Sequence, residues 1–224
     1  QPTREALAAL AAEARVGGIL SAKAGVVNVH LGDGPRMLDY LRWIAEETEI
    51  PKTQFIPTHI NRNQELFRDG IDWARGGGLI DFTTSSVPLF IEEGEEPAAR
   101  ALAHALEAGV PAARISFTSD GNGSLPQFNT EGELTGLSIG SPSSLYEAVR
   151  EAVGKHKVPL GEAIKAITST PAENLKLPRK GRIAPGMDAD IVLVRKDDLS
   201  IHSVIAGGEI MVNNGTPLIT GTFE

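Results

Sequence analysis

Two histidines and one aspartate stand where an apolar run meets a polar or Gly-rich loop. His30 and His59 each end a short apolar run, and Asp120 ends the run Ile115–Ser119. Such runs are typical of strands in a parallel sheet, and in a β/α barrel their carboxyl ends meet at one mouth. Neutral imidazoles and a carboxylate suit a divalent ion such as zinc. The three positions therefore predict a metal site at that mouth.

The segment I-S-F-T-S-D-G-N-G-S, residues 115–124, makes Asp120 the first candidate for chemistry. The last residues of a barrel strand point into the mouth, where active sites lie. One alternative is that Asp-Gly and Asn-Gly pairs simply form turns. A strand-end histidine is likewise often a structural, hydrogen-bonded residue. The metal hypothesis therefore depends on the three positions occurring together.

Arg62 follows the second of these histidines by three residues and is expected near the same mouth. Its guanidinium can hold a substrate carboxylate through a bidentate pair of hydrogen bonds, the alternative being a surface ion pair. The Gly-Asp-Gly at 32–34 is interpreted as a turn, since it lacks a phosphate-loop Lys and dinucleotide-binding spacing. The other histidines are interpreted as structural: His104, His156 and His202.

The composition of the 224 residues is that of an acidic globular protein, with 41% hydrophobic residues and a formal net charge of -8. The 21 Lys and Arg form no basic stripe, which argues against nucleic acid as a partner. There are no cysteines, so any metal must be held by His and carboxylates. No apolar run reaches the length of a membrane span and no signal-peptide pattern opens the chain, so we expect a cytoplasmic protein with no membrane partner.

Helical and apolar segments alternate along the chain, which predicts an α/β fold with a parallel sheet. From residue 181 onward the pattern is all β, with a hairpin turn at Asn214 and Gly215. The predicted strands are 26–30, 54–59, 79–83 and 114–119, a loop spans 121–140, and the predicted helices are 3–15, 35–49, 62–75 (introduced by Asn61), 97–109, 142–155 and 159–169 (ended before Pro171).

Four parallel strands do not make a closed barrel, which needs eight. We therefore predict that residues 1–180 form the second half of a TIM-like (β/α)8 barrel. Residues 181–224 are predicted to form a small antiparallel β segment. The chain starts at Gln1 and runs into a helix with no preceding strand, so an N-terminal half of the same polypeptide is expected as a partner.

Five segments carry a resemblance to a known family. They resemble the amidohydrolase superfamily over essentially the whole chain, and most closely its isoaspartyl (β-aspartyl) dipeptidases. The last segment is typical of the whole superfamily, whereas T-H-I-N-R-N and S-D-G-N-G-S are similar to the dipeptidases within it. The segments are V-V-N-V-H-L-G-D, F-I-P-T-H-I-N-R-N, S-F-T-S-D-G-N-G-S, T-S-T-P-A-E-N-L and G-R-I-A-P-G-M-D-A-D-I-V-L-V.

The resemblance implies a centre of two zinc ions, with His30 and His59 on one ion and Asp120 on the other. It implies that a metal-bridging hydroxide attacks the isoaspartyl bond, with Asp120 as general base and then general acid, and that Arg62 and Ser124 bind the charged ends of the dipeptide substrate. It also implies a homo-oligomer and an N-terminal half of the same enzyme as a partner. It makes residues 181–224 the C-terminal β strands of a small β-sandwich domain. The family's His-x-His pair, its carboxylated lysine, a substrate-binding arginine and a carbonyl-polarising tyrosine have no counterpart in this chain.

Two other functions stay open at this point. A dihydropyrimidinase-like hydrolase would act on cyclic amides, which carry no pair of charged termini, so Arg62 and Ser124 favour the dipeptide. A non-catalytic scaffold of the same fold would have lost metal ligands. The presence of His30, His59 and Asp120 together argues against that scaffold.

Overall fold

The computed structural model describes residues 2–129 and 131–221. The chain divides into two compact units, Gln1–Lys176 and Leu177–Glu224. The first unit contains the helices α1 (Arg4–Ser21), α2 (Asp39–Glu47), α3 (Gln64–Arg75), α4 (Pro88–Glu92), α5 (Ala98–Glu107), α6 (Ser144–Gly154), α7 (Leu160–Ala163) and α8 (Ser169–Asn174), and the strands β1 (Val27–His30), β2 (Phe55–Thr58), β3 (Ile80–Thr83), β4 (Ile115–Thr118), β5 (Ser124–Phe128) and β6 (Leu134–Ile139), with 3-10 turns at Lys52–Gln54, Ala112–Arg114 and Ile164–Ile167.

The first four strands alternate with helices and run in parallel. β1 pairs with β2, and β3 pairs with β4. β2 and β3 are neighbours, since the backbone N–H of Ile60 donates to the carbonyl of Asp81 at 3.2 Å. The four predicted strands and the α/β class are confirmed. Closure of a half-barrel into a full barrel stays a prediction.

The core of this unit lies between the strands and the helices that follow them. All four residues of β2 and of β3 are buried, and Phe82 packs near both Phe67 of α3 and Phe117 of β4. β1 is less buried than β2 and β3. Its valines pack against the core, whereas Asn28 and His30 are exposed.

The first helix is longer than its sequence predicts. α1 continues through two glycines to Ser21, beyond the expected end at residue 15, and Ala22 ends it in a left-handed conformation. Gly18 lies close against the backbone of the following loop. A Cβ added to Gly18 would lie 2.7 Å from the Cα of Gly25. Gly18 therefore serves packing against the following loop rather than helix termination.

Three other expectations about local structure are wrong. Asn63, not Asn61, caps α3 through a bond from the N–H of Leu66. The segment expected as a loop at 121–140 contains the antiparallel hairpin β5–β6. Pro171 lies inside α8, in a first turn where a missing N–H costs no helical hydrogen bond.

The second unit is an antiparallel sheet of β7 (Ile191–Val194), β8 (Ile201–Ala206), β9 (Glu209–Asn213) and β10 (Thr216–Pro217), in the order β10-β9-β8-β7. The hairpin between β9 and β10 turns at Asn214 and Gly215, both with positive φ, as predicted. Assignment of these strands to a β-sandwich stays a prediction. Within the described part of the chain, no helix is long and apolar enough to cross a membrane.

The paired glycines of α1 give a stability test. We expect Gly18→Ala to lower the free energy of unfolding by about 1–3 kcal/mol, because the new methyl group meets the backbone of Gly25. The matched control is Gly17→Ala, which meets no atom within 4 Å and should stabilise the helix by about 0.5–1 kcal/mol. Urea unfolding followed by circular dichroism measures both. Equal effects of the two substitutions would contradict the packing role of Gly18.

Candidate functional site

A cavity of about 460 Å³ opens at the carboxyl ends of β2, β3 and β4. Four of the five residues predicted to form the site line it: His59, Arg62, Asp120 and Ser124. Thr83 and Glu95 are among the other lining residues and were not singled out in the sequence analysis. Parallel strands explain this meeting, since their carboxyl ends lie at one edge of the sheet.

His30 and His59 face each other, with His30 Nδ1 and His59 Nε2 3.1 Å apart. Thr83 Oγ1 lies 2.7 Å from the other ring nitrogen, His59 Nδ1. In the tautomer in which this Nδ1–H donates to Thr83, Nε2 keeps its lone pair for a metal ion. Burial lowers the pKa of His59, and the charge of Arg62 adds to this effect while Asp120 opposes it. A neutral ring at pH 7 is the form that binds a metal.

Asp120 is exposed at the cavity and sits in a tight turn with a left-handed φ of 50°. The turn is closed by a bond from the N–H of Gly123 to the carbonyl of Asp120 at 2.9 Å. Two glycines allow this geometry, because a Cβ at Gly123 or Gly140 would lie 2.7 or 2.8 Å from that carbonyl oxygen. The loop therefore fixes the backbone from which the carboxylate projects.

Asn61 joins the three segments that surround His59. It is buried, its amide N–H groups donate to the carbonyls of Thr83 (3.0 Å) and Glu96 (2.9 Å), and its oxygen accepts from the N–H of Thr83 (2.8 Å). His59 itself has a φ of 64°, which is uncommon for a residue with a side chain. The amide of Asn61 therefore stabilises a turn whose backbone is otherwise unfavourable.

Arg62 forms an ion pair with Asp33 across the cavity mouth, with Nη1 and Oδ2 3.7 Å apart. The Arg62 side chain is 39% exposed and that of Asp33 is 69% exposed, so the pair is open to solvent and weak. Such a pair leaves the guanidinium able to exchange its partner for another carboxylate. Ser124 lies at the start of β5 and is also exposed.

Asp81 lies in the middle of β3 with no exposed surface. Its carboxylate accepts three hydroxyl bonds of 2.6 Å, from Thr58 and Thr118 to Oδ1 and from Ser116 to Oδ2. Burial raises the pKa of Asp81 to about 6, and the three hydroxyl groups limit the rise. Asp81 was not singled out in the sequence analysis. The segment L-I-D-F-T could have identified it, because burying a carboxylate within an otherwise apolar strand is costly and indicates a specific role.

The structure brings the predicted site residues together only in part. His30 and His59 are in contact, whereas His30 does not line the cavity that holds Asp120. Over residues 2–129 and 131–221 there is no group of three His, Asp or Glu side chains placed to hold a metal ion. The roles predicted for the individual site residues therefore stay predictions.

Parallel strands alternating with helices, with the candidate site at their carboxyl ends, define an α/β protein, and the chain belongs to the amidohydrolase family. The profile of the "Amidohydrolase family" matches residues 51–211. Among curated proteins, adenine deaminase from Clostridium perfringens is 38% identical over 81 residues, which are 36% of this chain and 14% of that protein.

Solved structures give a closer likeness. A crystal structure of β-aspartyl dipeptidase from the thermophilic, keratin-degrading Fervidobacterium islandicum AW-1, in complex with a β-Asp-Leu dipeptide, matches with a TM-score of 0.86 and 39% identity. The match covers 99% of this chain and 57% of that one, so the chain spans little more than half of the dipeptidase. Atrazine chlorohydrolase from Arthrobacter aurescens TC1, complexed with zinc, matches over 93% of this chain and 48% of that chain, with a TM-score of 0.54 and 16% identity; it shows the same fold. The resemblance seen in the sequence motifs is confirmed.

The raised pKa of Asp81 predicts a pH dependence of stability in metal-free protein. The folded-state pKa of about 6 exceeds the ordinary value of 3.8, so the folded state binds the proton more tightly. The contribution of Asp81 to the free energy of unfolding is greatest below about pH 4 and should fall by about 3 kcal/mol as pH rises to 6 and above.

Denaturant unfolding of metal-free wild type and of Asp81→Asn at pH 4 and pH 8 measures this contribution. The difference in stability between the two proteins should change between those pH values, with the wild type losing more at pH 8. A difference that does not vary with pH would show that Asp81 keeps an ordinary pKa.

Proposed function

We propose that this chain forms part of a zinc-dependent hydrolase that cleaves isoaspartyl (β-aspartyl) dipeptides. The observation that carries the proposal is the cavity in which His59, Arg62, Asp120 and Ser124 meet. The likeness at 39% identity to a dipeptidase that holds β-Asp-Leu supports this substrate class.

The side chains present fit a metal centre. Two imidazole nitrogens converge, and the second nitrogen of His59 is held by Thr83, as is usual for metal-binding histidines. Imidazole and carboxylate donors without thiols suit zinc. We assign His30 and His59 to one of two zinc ions and Asp120 to the other. When bound, the ions supply a water whose pKa is lowered towards 7.

Asp120 moves the proton in this reaction. Its carboxylate takes a proton from the attacking water and returns it to the nitrogen of the scissile amide, so that the leaving group departs as a neutral amine. One carboxylate can serve both steps because it stands exposed in the cavity at the end of β4. The closed turn at Gly123 keeps it in place between them.

Arg62 and Ser124 bind the charged ends of the dipeptide. A carboxylate of the substrate replaces Asp33 on the guanidinium and gains a bidentate pair of hydrogen bonds. The hydroxyl of Ser124, which also lines the cavity, is a donor or acceptor for the other end. The exchange of one solvent-exposed carboxylate for another costs little.

The remaining ligands are proposed to come from a polypeptide outside these 224 residues. Among the described residues β1 pairs with β2 alone, and its Asn28 and His30 are exposed, so this edge of the sheet is open to a further strand. An N-terminal half that completes the (β/α)8 barrel would cover that edge and face His30. Assembly into a homo-oligomer is part of the same proposal.

Hydrolysis of a cyclic amide and deamination of adenine are the two alternative reactions against which the substrate class is tested. A cyclic amide or an adenine base has no carboxylate for Arg62, although adenine deaminase shares 38% identity over 81 residues with this chain. We expect hydrolysis of β-Asp-Leu and no comparable activity on dihydropyrimidines or adenine. Activity on adenine alone would replace the proposal, and tight zinc binding without any hydrolysis would favour a scaffold.

Asp120→Asn tests the proton transfer. We expect kcat on β-Asp-Leu to fall by about 10²–10⁴-fold, because the amide cannot accept the proton of water. Zinc bound at His30 and His59 should remain, as measured by metal analysis of the purified variant. The matched control is Asp72→Asn, an exposed aspartate of α3 that should keep wild-type turnover. Retention of wild-type kcat in the Asp120 variant would reject its role.

Arg62→Gln tests substrate binding. Loss of a charge-assisted pair of hydrogen bonds costs about 1.5–3 kcal/mol, so kcat/KM should fall by roughly 10- to 100-fold, mainly through a higher KM. Arg68→Gln is the control, since Arg68 is exposed on α3 and donates to the carbonyl of Gln64, away from the cavity lining. Steady-state kinetics with β-Asp-Leu separate the two. An unchanged KM in the Arg62 variant would leave Arg62 as a surface ion pair.

A further inference from the structure

Asp81 carries a buried charge for which the proposed reaction has no use. It has no exposed surface, and the described part of the chain provides no Lys, Arg or His in an ion pair with its carboxylate. Its partners are the three hydroxyl groups of Thr58, Ser116 and Thr118. A buried carboxylate without a cation is costly, and an amide or apolar side chain would hold the strands at lower cost.

The position of these groups links them to the candidate metal site. Thr58 directly precedes His59, and Thr118 stands two residues before Asp120 on the same strand. Asp81 stands two residues before Thr83, so their side chains share a face of β3, and Thr83 Oγ1 contacts His59 Nδ1. The carboxylate and its hydroxyl donors thus form a layer one step below the strand ends that hold the site.

We propose that Asp81 is a positioning residue and a fixed counter-charge for the divalent cation held by His30 and His59, an inference that rests on the proposed function. The carboxylate of Asp81, one layer below the strand ends, attracts the cation electrostatically. The low dielectric of the buried strands strengthens this attraction. The bonds to Thr58 and Thr118 fix the ends of β2 and β4 at the same time. A cation above the layer would also balance a charge that has no ion-pair partner in the described part of the chain.

Two observations support this assignment. All three hydroxyl groups are placed to donate to the carboxylate, which stabilises the charged rather than the protonated form. The pKa of Asp81, raised to about 6, still leaves it ionised at neutral pH before any metal is bound. A carboxylate whose only role was to cross-link strands would not need its charge, because a neutral side chain can join the same hydroxyl groups.

Zinc affinity of the whole enzyme separates the charge from the cross-link. Asp81→Asn removes the charge but keeps an oxygen that can accept from Thr58 and Thr118, while its NH2 can donate to Ser116. We expect its zinc dissociation constant to rise by about 10- to 100-fold. Ser116→Ala is the matched control, because it removes one bond from the same carboxylate and keeps the charge. Competition between the protein and a chromophoric chelator for zinc chloride measures both, without any use of activity.

The outcomes are distinct. Weaker zinc binding in Asp81→Asn but not in Ser116→Ala supports the counter-charge. Unchanged zinc binding in Asp81→Asn, or equal loss in both variants, overturns it. Asp81→Ser is a second neutral variant. If neither neutral variant folds, the carboxylate is purely structural and the counter-charge proposal is overturned. Wild type that binds zinc but does not cleave β-Asp-Leu rejects the proposed function and leaves this test intact, whereas wild type that binds no zinc rejects the counter-charge.

Discussion

The site depends on left-handed backbone at two strand ends. His59 and Asp120 have φ angles of 64° and 50°, and such conformations cost of order 1–3 kcal/mol at a residue with a side chain. They persist because neighbouring bonds fix them. The N–H of Ile60 donates to Asp81 on the next strand, Asn61 ties the turn to Thr83, and Gly123 closes the turn at Asp120. Both side chains are thereby turned from the strand direction towards one cavity.

Much of this arrangement could be predicted because it follows from short-range pattern. Apolar runs of four or five residues identify β1 to β4, and the Asn-Gly pair at 214–215 identifies a hairpin, since few other dipeptides adopt positive φ at both positions. The cavity residues His59 and Asp120 were found because each ends a strand. Parallel topology then brings strand ends together whatever their separation in sequence, and this explains why Arg62 and Ser124 line the same cavity.

The remaining features depend on contacts between distant segments. Asn61 has the residue type of a helix cap and stands near a helix start, yet its amide bonds Thr83 and Glu96, 22 and 35 residues away. Gly18 looks like a helix terminator until Gly25 is seen beside it. Local propensity cannot distinguish these roles, because tertiary contacts override weak local preferences.

Positive φ angles occur at several points along the chain, as at Ala22 and Asn214, but three departures from local rules meet at the cavity. The left-handed conformations of His59 and Asp120 and the buried charge of Asp81 each cost stability, and all belong to strands that meet at one cavity. Folded proteins break local rules mainly where function requires it. A unit that needed only to close its strand ends would use glycine at the two turns and a neutral side chain in β3. The cost borne at this edge of the sheet therefore favours a cavity kept for chemistry over a scaffold that merely retains the fold.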